Sequence, residues 1–216
     1  MADLEAVLFD FGGVFTPSPF HVLEQAAGEL GVAPEVVLAT CFGGYDQDTD
    51  HPWHRLERGE CTVEEALAGI AALARESGYD IDPIAVLSKG MGGGKVLRDD
   101  VVELVREIRA LGLRTAVVTN NIREFSSGWR ALLPVDELFD VVVDSCEEGV
   151  RKPDPRIYQR ALERLGGVAP ERAVFIDDAV GNVRAAQALG MQAVLVAPDP
   201  ADAIAELRAL VGLVAS

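Results

Sequence analysis

The sequence predicts an α/β fold: a Rossmann-like core built on a parallel sheet, with a helical cap inserted after the first strand. Three observations lead to this prediction. Short apolar runs recur along the C-terminal half of the chain, helical patterns separate them, and a long stretch after the first run has no strand pattern. Strands that alternate with helices form βαβ units, and βαβ units form parallel sheets.

Five runs are predicted to be strands because they are short, continuous and apolar, as strands buried on both faces are. The runs are residues 6–9, 113–119, 141–143, 173–176 and 193–196. Right-handed crossovers place the carboxyl ends of such parallel strands at one edge of the sheet. Ligands of open α/β sheets bind beyond that edge, so the residues that follow each strand are candidates for a functional site.

Three helices are predicted between these strands because apolar residues recur at helical spacing and a glycine follows each pattern. The patterns cover residues 101–111, 157–165 and 183–189 and are followed by Gly112, Gly166 and Gly190. The sequence therefore alternates strand and helix through most of its C-terminal half.

Residues 16–95 differ in character and predict a helical cap between two core segments, 1–15 and 96–216. Helical patterns within the cap cover residues 20–30, 34–40, 63–75 and 82–88. The run from Gly92 to Gly94 is predicted to be a hinge, because the backbone freedom of glycine allows a cap to open and close.

The chain has 19 Lys and Arg residues against 35 Asp and Glu residues, which gives a formal charge of −16. This charge argues against nucleic acids and anionic membranes as partners. The cysteines, Cys41, Cys61 and Cys146, match no zinc or disulfide spacing. Neither a secretion signal nor a membrane span is recognised. We therefore expect a cytoplasmic protein, monomeric or homodimeric, that acts on a small molecule.

Chemically active side chains stand close to the predicted strand ends. They are Asp10 after the first strand, Thr119 and Asn120 at the end of the second, Lys152 before the fourth, and Asp177 and Asp178 after it. Carboxylates that share a small site need a neutralising charge, which a hard divalent cation such as Mg²⁺ supplies. Lys152 and the two residues of the second strand are then expected to bind a phosphate, with Asp10 as nucleophile.

Four segments resemble, in order, the motifs of the haloacid dehalogenase-like hydrolase superfamily, in the branch that carries a helical cap after the first motif. They are LFDFGGV (8–14), VVTNN (117–121), RKPDPRIY (151–158) and FIDDAVGN (175–182). The chain is similar in style to the N-terminal phosphatases of soluble epoxide hydrolases and to acyl-CoA-dehydrogenase-associated members. The motifs resemble the family over residues 5–15 and about 95–200.

The resemblance implies a Mg²⁺-dependent phosphohydrolase that forms an aspartyl-phosphate on Asp10. It implies that Thr119, Asn120 and Lys152 bind the phosphate. It also implies that the metal is held by Asp10, the main-chain carbonyl of Gly12, Asp177 and Asp178. The substrate is expected to be a small phosphate ester, which members of this family usually recognise through the cap.

Gly12 is a departure from the family pattern. Phosphatases of the family usually carry a second Asp at this position, which protonates the leaving oxygen, and such an acid contributes about 10²–10⁴-fold to the rate. Three alternatives stay open: a substrate with a good leaving group, an acid supplied by the cap, or a weak activity that leaves a binding or regulatory role. The candidate cap acids are His21, Asp46, Asp48, Asp50, His51 and His54.

Two other functions stay open beside phosphoryl transfer, which is favoured. A 2-haloacid dehalogenase also uses a nucleophilic Asp, but it needs no cation, and Asp177 and Asp178 would then repel each other and Asp10. A non-hydrolytic role includes metal-dependent ionisation of a diphosphate substrate, which does not need an acid at Gly12.

The segment from Asp46 to Glu57 partly matches a calcium-binding loop in its acidic residues, but it has His51 where that loop requires glycine. We interpret the segment as a solvated loop of the cap. Its residues His51, Trp53, His54 and Arg55 stay candidates to face the active site.

Overall fold

A computed structural model of the chain describes residues 3–18, 27–29, 31–79, 81–86 and 97–213. Its five strands are β1 (Ala6–Phe9), β2 (Arg114–Thr119), β3 (Val141–Asp144), β4 (Ala173–Asp177) and β5 (Gln192–Leu195). All pairings are parallel, and the strand order is β3-β2-β1-β4-β5. The predicted fold class is confirmed, and each predicted strand is present with ends that differ by at most one residue.

The helices observed before β2 are α1 (Pro34–Phe42), α2 (Pro52–Glu57), α3 (Val63–Glu76) and α4 (Asp99–Ala110). Those that follow are α5 (Arg123–Arg130), α6 (Val135–Leu138), α7 (Ser145–Glu148), α8 (Pro155–Arg164), α9 (Val180–Ala188) and α10 (Ala201–Val211), with a 3₁₀ turn at Pro170–Arg172. No described helix has the combination of length and hydrophobicity needed to cross a membrane.

Alternate residues of the central strands enter opposite faces of the sheet. Phe9 of β1 lies opposite Val117 and Ile176 in the parallel register, and all three join the apolar cluster with α4 and α10. Leu8, one residue earlier, joins the cluster on the other face with α8 and α9. Both faces of the sheet are therefore covered, which explains why its strands are apolar without alternation.

Helices α1 to α3 lie between β1 and α4 in the chain and pack around a third apolar cluster, which includes Val37, Trp53, Leu56 and Ile70. Local sequence sets the start of α3: the Thr62 hydroxyl accepts from the Glu65 amide at 3.2 Å, and the Glu65 carboxylate accepts from the Thr62 amide at 2.9 Å. This reciprocal pair is a capping box, which satisfies amides that the first helical turn leaves free.

Several helices are present that the sequence pattern does not predict. Helix α2 has only six residues, too few for a helical repeat, although Pro52 occupies its first turn. Helix α5 buries only Trp129, so it has no apolar stripe. The proposed hinge at Gly92 to Gly94 lies outside the described residues. Of the predicted helix at 20–30, only residues 27–29 are described, and they are helical. Of the predicted helix at 82–88, residues 83–86 are described and helical.

The ring of Phe9 anchors the central strand, with centroids 5.8 Å from Phe15 and 6.1 Å from Phe139. We expect Phe9→Ala to lower the free energy of unfolding by about 3–5 kcal/mol, because it leaves a cavity that this packed cluster cannot fill. Urea denaturation of the purified protein measures the change. Leu195→Ala on β5 is the control: this leucine is 46% exposed, and we expect a change within about 0.5 kcal/mol. Equal losses in the two variants would contradict the prediction.

Candidate active site

The carboxyl ends of the central strands form the site. Strand β1 lies between β2 and β4, so the residues that end these three strands meet at the middle of the sheet edge. Asp10 directly follows β1, and its amide donates to the carbonyl of Ile176 at 2.9 Å. Asp10 is therefore held next to Asp177, the last residue of β4. Thr119 ends β2 on the other side and is buried.

The turn after Asp10 brings the backbone close to the carboxylates. The Phe11 amide donates to Asp10 Oδ1 at 2.6 Å. Gly13 has a φ of +75°, and a Cβ there would lie 2.0 Å from Asp178 Oδ2. Both facts require glycine at position 13. Gly12 is different, because a Cβ at that position would meet no atom of the described residues within 4 Å.

Lys152 is fully buried between two carboxylates. Its Nζ lies 2.7 Å from Asp10 Oδ1 and 2.7 Å from Asp177 Oδ2. Burial by itself lowers the pKa of Lys152, but these two carboxylates outweigh burial and raise the pKa above its ordinary value. The ammonium group therefore stays charged and neutralises part of the site.

The side chain of Asn120 holds the backbone of Lys152. Its Nδ2 donates to the Lys152 carbonyl at 3.0 Å, and its Oδ1 accepts from the Lys152 amide at 2.7 Å. Asn120 is predicted from the sequence to bind the phosphate. That assignment stays a prediction, and the structure adds a positioning contact that a linear motif does not reveal.

Asp177 and Asp178 are adjacent in sequence but differ in their contacts. Asp177 Oδ1 accepts from the Ala179 amide at 2.7 Å, and Asn182 Nδ2 lies 3.1 and 3.0 Å from the two carboxylate oxygens. Asp178 Oδ2 is buried and accepts no hydrogen bond from any residue that the structure describes. Asp177 is thus satisfied by the protein, whereas Asp178 has an oxygen available to a ligand.

The carboxylates of Asp10, Asp177 and Asp178 converge, with one oxygen of each within 4.8 Å of the others. Burial raises the pKa of Asp10 well above its ordinary value, and Asp177 and Asp178 add to this effect while Lys152 opposes it. Burial, together with the Asp177 charge, raises the pKa of Asp178 to about 6. One lysine does not balance three carboxylates. The unpartnered Asp178 oxygen and this all-oxygen donor set fit a hard divalent cation.

A cavity of about 70 Å³ opens above these groups. Its lining includes six of the residues predicted from the sequence: Asp10, Gly12, Thr119, Asn120, Lys152 and Asp178. Asp177 is fully buried and is not among the residues that line it. Four further lining residues were not predicted: Tyr45, Glu57, Ala179 and Asn182. Asn182 lies on the first turn of α9 after the carboxylate pair, a spacing that would have suggested it.

Tyr45 and Glu57 reach the cavity from the segment between α1 and α3. The Tyr45 backbone lies so close to α9 that a Cβ on Gly181 would be 2.5 Å from its carbonyl oxygen. Glu57 ends α2, and its carbonyl accepts from Ser145 Oγ at 2.6 Å. No local signal in the sequence distinguishes either residue from the surrounding polar positions.

The interpretation of the 46–57 segment as a solvated loop is wrong for part of it. His54 and Glu57 are buried, and Asp48 pairs with Arg58. Burial and the nearby charge of Arg151 lower the pKa of His54 to about 3, so this imidazole is neutral at pH 7. Of the six predicted cap acids, none is among the described residues that line the cavity, and His21 lies outside the described residues.

The model of the haloacid dehalogenase-like hydrolases matches residues 4–190 of the chain. The chain belongs to this family. Acyl-CoA dehydrogenase family member 10 of Mus musculus is 38% identical over 96% of the chain, but the chain spans only 19% of that relative. A sesquiterpene phosphatase of Aspergillus oryzae is 30% identical over 96% of the chain and 97% of its own length.

Two solved structures show that the haloacid dehalogenase-like fold extends over almost the whole chain. A family enzyme from Bacteroides thetaiotaomicron, in complex with magnesium and inorganic phosphate, has a TM-score of 0.59 at 19% identity, with 91% of this chain and 96% of that chain covered. A dehalogenase has a TM-score of 0.64 at 20% identity, with 97% and 98% covered. One of these structures is described as a dehalogenase and the other as a complex with magnesium and phosphate, so the fold alone does not select the chemistry of this chain.

The unequal contacts of the two adjacent acids lead to opposite expectations. Asp178→Asn removes a buried charge that Asp177 repels and that has one oxygen without a hydrogen bond, so we expect the unfolding midpoint of the metal-free protein to rise by roughly 2–4 °C, the shift that about 1 kcal/mol produces at this size. Asp177→Asn weakens a buried pair with Lys152, so we expect the midpoint to fall.

Thermal unfolding in EDTA and in Mg²⁺ measures both effects. Mg²⁺ is expected to stabilise the wild-type protein and not Asp178→Asn, because a ligand stabilises only a folded state that binds it. A stabilising effect of Mg²⁺ that is the same in Asp178→Asn would contradict the assignment of Asp178 to the cation.

Proposed function

We propose that this hydrolase is a Mg²⁺-dependent phosphohydrolase that cleaves a small phosphate ester through an aspartyl-phosphate on Asp10. The observation that carries the proposal is the convergence of three carboxylates around Asp10, with Lys152 as the neighbouring cation. A phosphatase among the relatives, matched over nearly its whole length, supports it. The magnesium and phosphate bound by the Bacteroides enzyme of the same fold support it as well.

Asp10 is oriented for attack by its contacts. Lys152 and the Phe11 amide both bind Oδ1, which leaves Oδ2 as the oxygen that attacks phosphorus. Lys152 then lies beside the phosphoryl oxygens and stabilises the charge that develops on them. Thr119 donates to the same group from the end of β2. Asp177 does not touch the substrate, because its oxygens are committed to Lys152, Ala179 and Asn182.

The proposed metal site consists of Asp10, the Gly12 carbonyl and Asp178, with Asp177 behind them. Mg²⁺ bound there would neutralise the carboxylates and the phosphate, so that an anionic nucleophile can approach an anionic substrate. A dehalogenase needs no cation, so these acidic groups would repel one another in its site. The excess of carboxylates therefore favours phosphoryl transfer. Ionisation of a diphosphate would use the same cation but would not need Asp10 as a nucleophile.

An apolar pocket of about 370 Å³ lies beside α2. Trp53 and Leu56 of α2 line this pocket, whereas Glu57 lines the cavity, so one short helix contributes to both. Ile122 and Phe125 at the start of α5 complete the pocket just after Asn120 in the chain. We propose that the leaving group of the substrate carries an apolar part that this pocket binds, as the name of the sesquiterpene phosphatase also suggests.

Asp10→Asn is expected to abolish release of inorganic phosphate from p-nitrophenyl phosphate, because the amide cannot form the covalent intermediate. The measurement is phosphate release with Mg²⁺ and with EDTA. Asp50→Asn, which changes an exposed carboxylate, is the control and is expected to be fully active. If the wild-type protein released no phosphate from any monoester, and both it and Asp10→Asn ionised a diphosphate with Mg²⁺, the phosphohydrolase proposal would be wrong.

Leu67→Gln tests the apolar pocket, because it keeps the size of a pocket side chain and makes it polar. We expect the KM for octyl phosphate to rise about 10-fold or more, the effect of about 1–3 kcal/mol of lost apolar contact. The KM for glycerol phosphate is expected to stay unchanged. Leu111→Gln, at an exposed leucine that directly follows α4, is the matched control. An equal change for both substrates would show that the pocket does not bind the leaving group.

A further inference from the structure

The proposed reaction requires two proton transfers for which the usual residue is missing. The leaving oxygen must gain a proton when its bond to phosphorus breaks, and the attacking water must lose one in the second step. Position 12, where family phosphatases place this acid, is glycine. We infer that Glu57 is the general acid and base of this reaction, an inference that rests on the proposed phosphohydrolase function.

Glu57 lies where such a group is needed. It lines the same small cavity as Asp10 and Lys152, and it is 3% exposed. Its helix is anchored to the sheet side of the cavity by the hydrogen bond from Ser145 to its carbonyl. Gly12 lines the same cavity as Asp10 and Glu57, and a Cβ there would meet none of the described residues, so this part of the cavity has room for a leaving group.

The other ionisable residues that line the cavity do not suit the role. Asp10 is the nucleophile, Asp178 has the unpartnered oxygen suited to the cation, and Lys152 is paired with two carboxylates. Burial and the neighbouring Glu57 raise the pKa of Tyr45 well above its ordinary value, so its phenol does not accept a proton from water at neutral pH. Glu57 is the remaining ionisable group among the described lining residues.

The surroundings of Glu57 hold the carboxyl in place and balance its charge. Arg151, fully buried, donates from Nε to Glu57 Oε2 at 2.7 Å. Burial raises the pKa of Glu57, and Arg151, Trp53 and Lys152 only partly oppose this effect, so the net direction is upward. A carboxyl with a raised pKa exchanges its proton nearer to neutral pH, as a general acid and base must.

The steps balance in protons and bonds. Asp10 Oδ2 bonds to phosphorus while the bond to the leaving oxygen breaks, and that oxygen takes the proton of the Glu57 carboxyl. The Glu57 carboxylate then takes a proton from water as the water oxygen bonds to phosphorus. The bond between phosphorus and Asp10 breaks, which restores the Asp10 carboxylate and releases inorganic phosphate.

Glu57→Gln tests the inference, because glutamine keeps the shape and the acceptor for Arg151 but transfers no proton. We expect hydrolysis of octyl phosphate to fall by about 10²-fold or more, since an alkoxide leaves poorly without an acid. With p-nitrophenyl phosphate, whose leaving group needs no proton, we expect a burst of nitrophenolate followed by accumulation of phosphorylated Asp10. Acid-quenched intact mass detects the phosphorylated protein.

Three further variants make the test specific. Glu60→Gln changes a nearby carboxylate that is not among the described residues lining the cavity, and we expect wild-type rates. Glu57→Asp keeps a carboxyl that can transfer a proton, so we expect it to hydrolyse octyl phosphate faster than Glu57→Gln, and this difference identifies proton transfer even if both variants have a low unfolding midpoint. Gly12→Asp in the Glu57→Gln protein is expected to restore octyl phosphate hydrolysis at least about 10-fold, because a side chain fits at position 12.

The outcomes separate this inference from the proposed function. If the wild-type protein releases phosphate in an Asp10-dependent way and folded Glu57→Gln hydrolyses both substrates at wild-type rates, the inference is wrong and the proposed function stands. Equal losses on both substrates without accumulation of phosphorylated Asp10 also overturn it. If the wild-type protein releases no phosphate from either substrate, the proposed function and the inference fail together.

Discussion

The buried ammonium group of Lys152 is the interaction on which the site depends. A parallel sheet brings the residues that follow its central strands to one edge, and here those residues are carboxylates. Converging acids in a buried site repel one another, and their burial adds a desolvation cost. Lys152 lies at hydrogen-bond distance from Asp10 and Asp177 at once, and Asn120 fixes the backbone that carries it. Two negative charges remain uncompensated by this one lysine, and they are what a divalent cation next to Asp178 would neutralise.

Close backbone approach is the second constraint. Gly13 lets the turn after β1 come against Asp178, and Gly181 lets the Tyr45 backbone come against the start of α9. The first contact shapes the floor of the cavity and the second brings part of the cap segment to its rim. Each of these glycines is required by a neighbour distant in sequence. Gly12 takes part in neither of these contacts, and among the described residues it has free space beside it. Sterics therefore do not explain why this position lacks the acidic side chain of family phosphatases.

Helix α2 combines two functions in six residues. Its Trp53 and Leu56 enter the apolar pocket and its Glu57 enters the catalytic cavity. The proposed recognition of the leaving group and the proposed proton transfer to it would therefore come from one rigid element. This element is joined to the sheet by Arg151 and Ser145. Arg151 precedes Lys152 in the chain, so the residues that hold the acid and the nucleophile are neighbours on one loop.

The sequence by itself determined the sheet, its order of elements and the residues at its carboxyl edge, because buried parallel strands are continuous apolar runs and the motifs follow them directly. Only the tertiary structure decided how the adjacent acids differ, since the contacts of Asp177 and the unpartnered oxygen of Asp178 come from residues packed in space. It also decided that Tyr45 and Glu57 reach the cavity, which none of the predicted cap acids among the described residues lines. A six-residue helix has no periodic pattern, and the burial of Glu57 depends on Arg151, 94 residues away, so no local property of the chain reveals it.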